Sequence, residues 1–191
     1  MEEKQDVSLE VWEHPIARVL APLRDDEVRE KTDAPWIDDI EKVACRRPQV
    51  DCPLEHVFTP GLRLGEWVYT RTITMRRGLL ITSKIHRTEH QFFVTKGRCL
   101  VWSPNGEVQI IEAGHRGITE AGTRRLLLIE EDTVWTTIHP TNTQDLSLIE
   151  EQVIVPHDFN AGLRLSDEEM IALADDKSGT LREALNKFLT H

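Results

Sequence analysis

No stretch of this chain approaches the roughly 18 consecutive apolar residues that a membrane-spanning helix needs, so no transmembrane segment is expected. The N-terminal MEEKQDVSLEVW is acidic and lacks the basic-then-apolar order of a secretory leader. Cysteine is scarce: Cys45, Cys52 and Cys99 are odd in number and never spaced Cys-x-x-Cys. That excludes a zinc ribbon or a disulfide framework and makes a reducing cytoplasm the expected location. Basic residues are in deficit, 23 against 33 acidic ones, for a net charge of −10. A chain so charged has little to draw nucleic-acid polymers or anionic membranes to it, although a local cationic pocket remains compatible. Also missing are a Gly-x-Ser-x-Gly elbow, a Walker-type loop, a dinucleotide glycine fingerprint, internal repeats and low-complexity tracts.

What remains is 191 residues, 39% hydrophobic and 29% charged, enough for one ordinary domain with extensions. The pattern divides into three. Residues 1–51 read as a helical arm: Trp36, Ile37, Ile40, Val43 and Ala44 form a helical stripe, with Pro35 at its first turn. An earlier helix is expected within Val11 to Leu20. Val50 to Pro60, with two prolines, reads as a linker. From residue 52 to 155 the period drops to two. Trp67–Ile73, Gln91–Val94, Arg98–Trp102, Val108–Ile111, Leu126–Ile129 and Thr133–Ile138 are short, rich in β-branched or aromatic residues, and separated by glycine turns. Pro104-Asn105-Gly106 is the clearest hairpin. Residues 156–191 return to helix, opening at Ser166-Asp167-Glu168-Glu169 and continuing over Leu181–Leu189. Many short strands flanked by helices predict a mainly β chain, a sandwich or small barrel with helical extensions.

Two stretches carry the chemistry. In the first, Gly78 is followed after five residues by Lys84-x-His86, then by His90 three residues on and Gly97 six beyond. In the second, Gly114 is followed after five residues by Glu120-Ala121-Gly122, then Thr123-Arg124, Arg125 and, three residues later, Ile129. This spacing resembles the two motifs of the cupins, small double-stranded β-helix (jelly-roll) barrels. Of the four metal-ligand slots in a typical cupin, His86 alone matches in type. Lys84 stands in the first His slot, His90 in the Glu slot and Arg125 in the last His slot. The wording SKIHRTEHQ, AGTRR and EDTVWTTIHPT also resembles uncharacterised cupin-like proteins frequent in bacteriophage genomes. The resemblance implies a barrel over about half the chain, a phage or prophage origin with residence in the host cytoplasm, and a homodimer paired through sheet edges.

Lys84, His86, Thr88 and His90 share parity, so an unbroken strand would aim all four inward, whereas a turn at Arg87-Thr88-Glu89 would bring Glu89 round to the site. One reading is a metal centre: His86 and His90 supply two ligands for a divalent zinc, iron, nickel or manganese ion, with Glu89 or His139 as the third. Lys84 and Arg125 would then orient an anionic substrate, and Glu89 or Glu120 would serve as acid or base. A second reading takes Lys84, Arg125 and partly charged His86 and His90 as a cationic pocket for a small anion, a sugar phosphate, nucleotide or carboxylic acid, without catalysis. In a third, Arg125 pairs with Glu120, Glu130 or Glu131 and the barrel is an assembly module. His86-x-x-Glu89-His90 also matches the inverted zinc-peptidase spacing, but that chemistry needs a helix and this stretch lies among β-formers. Cys99, beside Leu100 and Val101, reads as core rather than nucleophile, and Trp102 and Trp135 as packing residues.

Overall fold

The computed structural model describes residue 27 and residues 34–156 and 162–175. The helices expected over Val11–Leu20 and Leu181–Leu189 lie outside them.

Among the described residues, ten strands form two five-stranded antiparallel sheets. One has the order β1 (Leu54–Pro60), β2 (Trp67–Met75), β9 (Thr133–Thr141), β4 (His90–Lys96), β7 (Arg116–Thr119). The other has the order β10 (Gly162–Arg164), β3 (Leu79–Thr82), β8 (Leu126–Ile129), β5 (Arg98–Trp102), β6 (Val108–Glu112). Non-consecutive neighbours in both sheets, with the chain alternating between them, make this a jelly-roll barrel. Among the described residues three helices accompany it: α1 (Pro35–Ala44), α2 (Leu146–Val153) and α3 (Asp167–Asp175). None is long and apolar enough to cross a membrane.

The central strands of the second sheet, β3, β8 and β5, are apolar on both faces because both are covered. Leu79, Cys99, Val101, Leu127 and Ile129 turn inward to meet Phe92, Val94 and Trp135 of the first sheet. Leu80, Leu100, Trp102, Leu126 and Leu128 turn outward under Ile40 and Ala44 of α1 and Met170 and Leu173 of α3. An unbroken run such as Leu126–Ile129 is what a doubly covered strand demands. On α1, Ile37 and Ile40 are buried, each contributing roughly 1.5–3 kcal/mol. The helix is tied down by Trp36 Nε1 donating to the Pro104 carbonyl (2.7 Å) and, just beyond its C-terminus, by Arg47 pairing with Glu169 (3.0 Å). Below it lies a buried ion cluster: Arg124 donates to the carboxylates of both Asp38 and Glu41.

The linker expected over Val50–Pro60 is corrected, because residues 54–60 pair with β2 along their whole length, from Leu54 opposite Ile73 to Pro60 opposite Trp67. Pro53 and Pro60 are tolerated because β1 is an edge strand and they fall just before it and at its last position. The Pro104-Asn105-Gly106 hairpin joins β5 to β6, with Trp102 opposite Val108 and Gly106 in the left-handed region. At the start of α3, Ser166 Oγ accepts from the Glu169 N–H (3.2 Å) while Glu169 accepts from the Ser166 N–H (2.6 Å), a reciprocal cap.

Candidate metal centre

Lys84 to His90 is not an unbroken strand. β3 ends at Thr82, the chain bends at Arg87 and Thr88, and β4 opens on His90. The expectation of one continuous inward face is therefore corrected, and the turn is the alternative that forms. Three backbone bonds pin it: Arg87 N–H to the Val153 carbonyl (2.8 Å), Val155 N–H to the Ile85 carbonyl (2.9 Å), and Gly122 N–H to the His86 carbonyl (2.8 Å). His86 is thus held by the exit of α2 on one side and by the second glycine motif on the other.

This bend lays the His86 ring against His90, with ring centroids 4.2 Å apart. The third partner arrives from the neighbouring strand. His139, on β9 opposite Tyr69, lies 5.1 Å from His86 and 4.6 Å from His90 by centroid. The candidate ligand atoms of the three imidazoles all fall within 4.8 Å of one another.

Burial leaves these rings neutral. It holds His86 well below the ordinary histidine value, with His90, His139, Arg71 and Lys84 adding to the effect. It lowers His90 to about 4, aided by Arg125 and opposed by the hydrogen bond to the Thr88 carbonyl. It lowers His139 to about 3, with His90 and Arg71 contributing. The partly charged histidines expected for a purely cationic pocket are thereby corrected: cavity burial favours the uncharged form.

Neutral imidazole is the form that binds metals, and the surrounding bonds aim the lone pairs. His90 Nδ1 faces the Thr88 carbonyl (3.3 Å), which can only accept, so the proton sits on Nδ1 and Nε2 keeps its lone pair. His139 Nε2 contacts Thr137 Oγ1 (3.1 Å), while its Nδ1 is buried with no partner. His86 Nδ1 is likewise buried and unpartnered. Two orphaned ring nitrogens in one cluster are costly unless something accepts their lone pairs or protons. A first-row divalent ion fits that requirement, and three protein ligands are what an open catalytic site uses.

Beside the triad is a cavity of about 390 Å³ lined by residues of both sheets, His86 and His90 among them. Arg125 lines it too: its backbone N–H donates to Ser83 Oγ (2.9 Å), its Nη1 to Thr119 Oγ1 (3.2 Å), and its guanidinium lies over the Phe92 ring at 5.7 Å. Of its expected acidic partners, Glu130 pairs with Arg98 (3.2 Å), and among the described residues no carboxylate forms an ion pair with Arg125. Lys84 lines the cavity but gives its charge to Glu150 of α2 (2.6 Å). Glu89 is half-buried and Glu120 exposed, and neither lines the cavity. The carboxylate that does is Asp51. Sequence reasoning passed over Arg71 and Asp51, which line the cavity, and Arg124. Arg71 had a readable signal, sharing parity with Ile73 and Met75 on the same strand. Cys99 is fully buried and its thiol is pushed up to about 12 by burial and by Glu130, in keeping with a core residue. Cys45, Cys52 and Cys99 are all free.

Compared with known proteins, the chain matches no family model and no curated protein. Solved structures similar to it include ectoine synthase from P. lautus, at 12% identity and a TM-score of 0.39, covering 62% of this chain and 82% of that one. An S161A mutant of Bacillus subtilis oxalate decarboxylase shares 12% identity at a TM-score of 0.42, over 56% of this chain and 29% of that one. A cupin-2 domain containing protein from Shewanella frigidimarina shares 12% identity at a TM-score of 0.35, over 60% of this chain and 99% of that one. Each is a protein this chain is similar to in part of its length.

Proposed function

We propose that this chain is a metal-dependent enzyme of the cupin type acting on a small anionic molecule. In this reading His86, His90 and His139 hold one divalent transition ion, zinc, iron, nickel or manganese. The observation that carries it is the convergence of three neutral, buried imidazoles, two with orphaned ring nitrogens, beside a cavity whose wall includes His86 and His90. When bound, such an ion supplies Lewis-acid polarisation of a substrate oxygen. The chain's own contribution is orientation. Arg125, unpaired among the described residues and braced by Thr119 and Phe92, grips the anionic group, and Arg71 adds positive potential from β2. The inner walls, Ile81, Leu127 and Trp135, keep water from that end of the cavity.

The test is metal content by plasma mass spectrometry on untagged protein purified without chelator, alongside His86→Ala, His90→Ala and His139→Ala. Close to one transition ion per chain, lost in all three variants, supports the reading. No ion, even after reconstitution with zinc, iron, nickel and manganese, would sink it. The same cavity would then be read as a non-catalytic anion site, for which the observation is Arg71 and Arg125 lining it, neither in an ion pair among the described residues.

A further inference from the structure

We infer that the cavity takes an amphipathic monocarboxylate, its head at Arg125 and its apolar body running along the barrel toward Met75. This rests on the reading of the cavity as the ligand site and adds the substrate class.

The argument comes from strand register. On β2, Arg71, Ile73 and Met75 share one face and all line the cavity. Their partners on β9 are Thr137, Trp135 and Thr133. Polarity thus falls along the barrel in register: Arg71 with Thr137, then Ile73 with Trp135, then Met75. The opposite sheet repeats the gradient. Ser83 and Arg125 are bonded at the polar end, and one step further along Ile81 pairs with Leu127. The apolar end is continuous with the buried cluster of Val94, Val101 and Ile129, so it is closed by core. From Arg71 to Met75 the strand advances roughly 13 Å at about 3.3 Å per residue, which sets the reach of a ligand with its head at the polar end.

The two ends select different things. The head meets two guanidiniums without a carboxylate partner among the described residues, and the planar fork of arginine matches a planar carboxylate. Lys84, tied to Glu150, adds little net charge. The body meets Ile73, Ile81, Leu127, Trp135 and Met75, whose one strong polar group is the Trp135 indole N–H. A sugar phosphate or nucleotide would leave most of its hydroxyls or ring nitrogens there unsatisfied, a penalty that aliphatic or aryl carbon does not carry. At about 390 Å³ the cavity sits at the small end of ligand sites.

The experiment is calorimetric titration of the full chain with acetate, butanoate, hexanoate, 3-phenylpropanoate, inorganic phosphate and ribose 5-phosphate, with metal content measured on the same sample. The expected result is affinity rising about fourfold per added methylene until the cavity is filled. Arg125→Gln should weaken every carboxylate at least tenfold, Arg125→Lys less so, and Ile73→Thr should flatten the chain-length gradient. Thermal melts of each variant identify any that fail to fold. Flat affinities across the series, ribose 5-phosphate binding more tightly than hexanoate, or no carboxylate binding at all would overturn the inference. A metal-loaded protein with a flat series removes this inference and keeps the metal centre. A metal-free protein with an Arg125-dependent gradient does the reverse.

Discussion

Arg124 and Arg125 are neighbours in sequence and serve opposite faces of one sheet. The alternation of β8 extends back through both, so Arg124 points outward under α1 and is only 2% exposed, while Arg125 points into the barrel cavity. Arg124 is neutralised by Asp38 and Glu41, and Arg125 has no carboxylate partner among the described residues. One charge therefore fastens a helix to the barrel and the other is left for a ligand.

This arrangement predicts different costs for the two residues. Arg124→Met takes a charged partner from Glu41, which is fully buried, and should cost about 3–5 kcal/mol of stability. Arg124→Met combined with Glu41→Met should recover much of that loss, because an apolar pair of similar volume replaces the ion pair. Chemical denaturation of the two singles and the double checks it. A double mutant as unstable as the sum of the singles would show that the cluster is not coupled in this way.

Two glycines should separate strain from space. Gly97, in the turn between β4 and β5, has φ +86° and a Cβ there would clash with the Asp132 carbonyl oxygen. Gly106, in the β5–β6 hairpin, has φ +83° with nothing within 4 Å. Gly106→Ala should cost about 1–2 kcal/mol, the left-handed penalty alone. Gly97→Ala should cost distinctly more, because Asp132 must also move. Equal melting temperatures for the two variants would contradict the close approach.

Lys84 stands in the slot where a typical cupin has its first histidine, yet its ammonium pairs with Glu150 and is partly exposed. Lys84→Met should change stability by no more than about 1 kcal/mol and leave metal content as it was. Loss of metal in Lys84→Met, measured beside His139→Ala, would mean that the lysine organises the centre after all.

How far these features could be read beforehand depends on the range of the interaction. Parity along one strand is local, so six of the barrel strands and the Pro104–Gly106 hairpin were legible, as was the stripe of α1, while Arg125 was placed by the spacing of the second glycine motif. The glycine spacing also located the loop carrying His86 and His90. His139 was less legible because its place depends on pairing across strands, Tyr69 opposite His139, and no local pattern sets that register. The neutrality of the histidines was not legible at all, since it comes from burial. β1 was hidden by two prolines that matter little at a sheet edge, and β10, only three residues long, falls below any periodic signal.

That neutrality gives the last prediction, and its sign follows from proton uptake. In the unfolded chain each histidine protonates near pH 6.5. In the folded metal-free protein His90 does so only near about 4 and His139 near about 3. Between these limits the unfolded state binds more protons, so stability falls as pH falls, by up to about 1.4 kcal/mol per pH unit for each group. Above pH 6.5 the penalty is absent. At roughly 3 °C per kcal/mol for a domain of this size, Tm should drop clearly between pH 6.5 and 4.5. His90→Asn and His139→Asn should flatten that slope, because asparagine does not titrate. Saturating zinc should raise Tm most at neutral pH and progressively less in acid, as protons compete for the same lone pairs. Identical slopes in the wild type and both asparagine variants would mean that these imidazoles are not held neutral in the fold, and the case for a metal centre would lose its chemical basis.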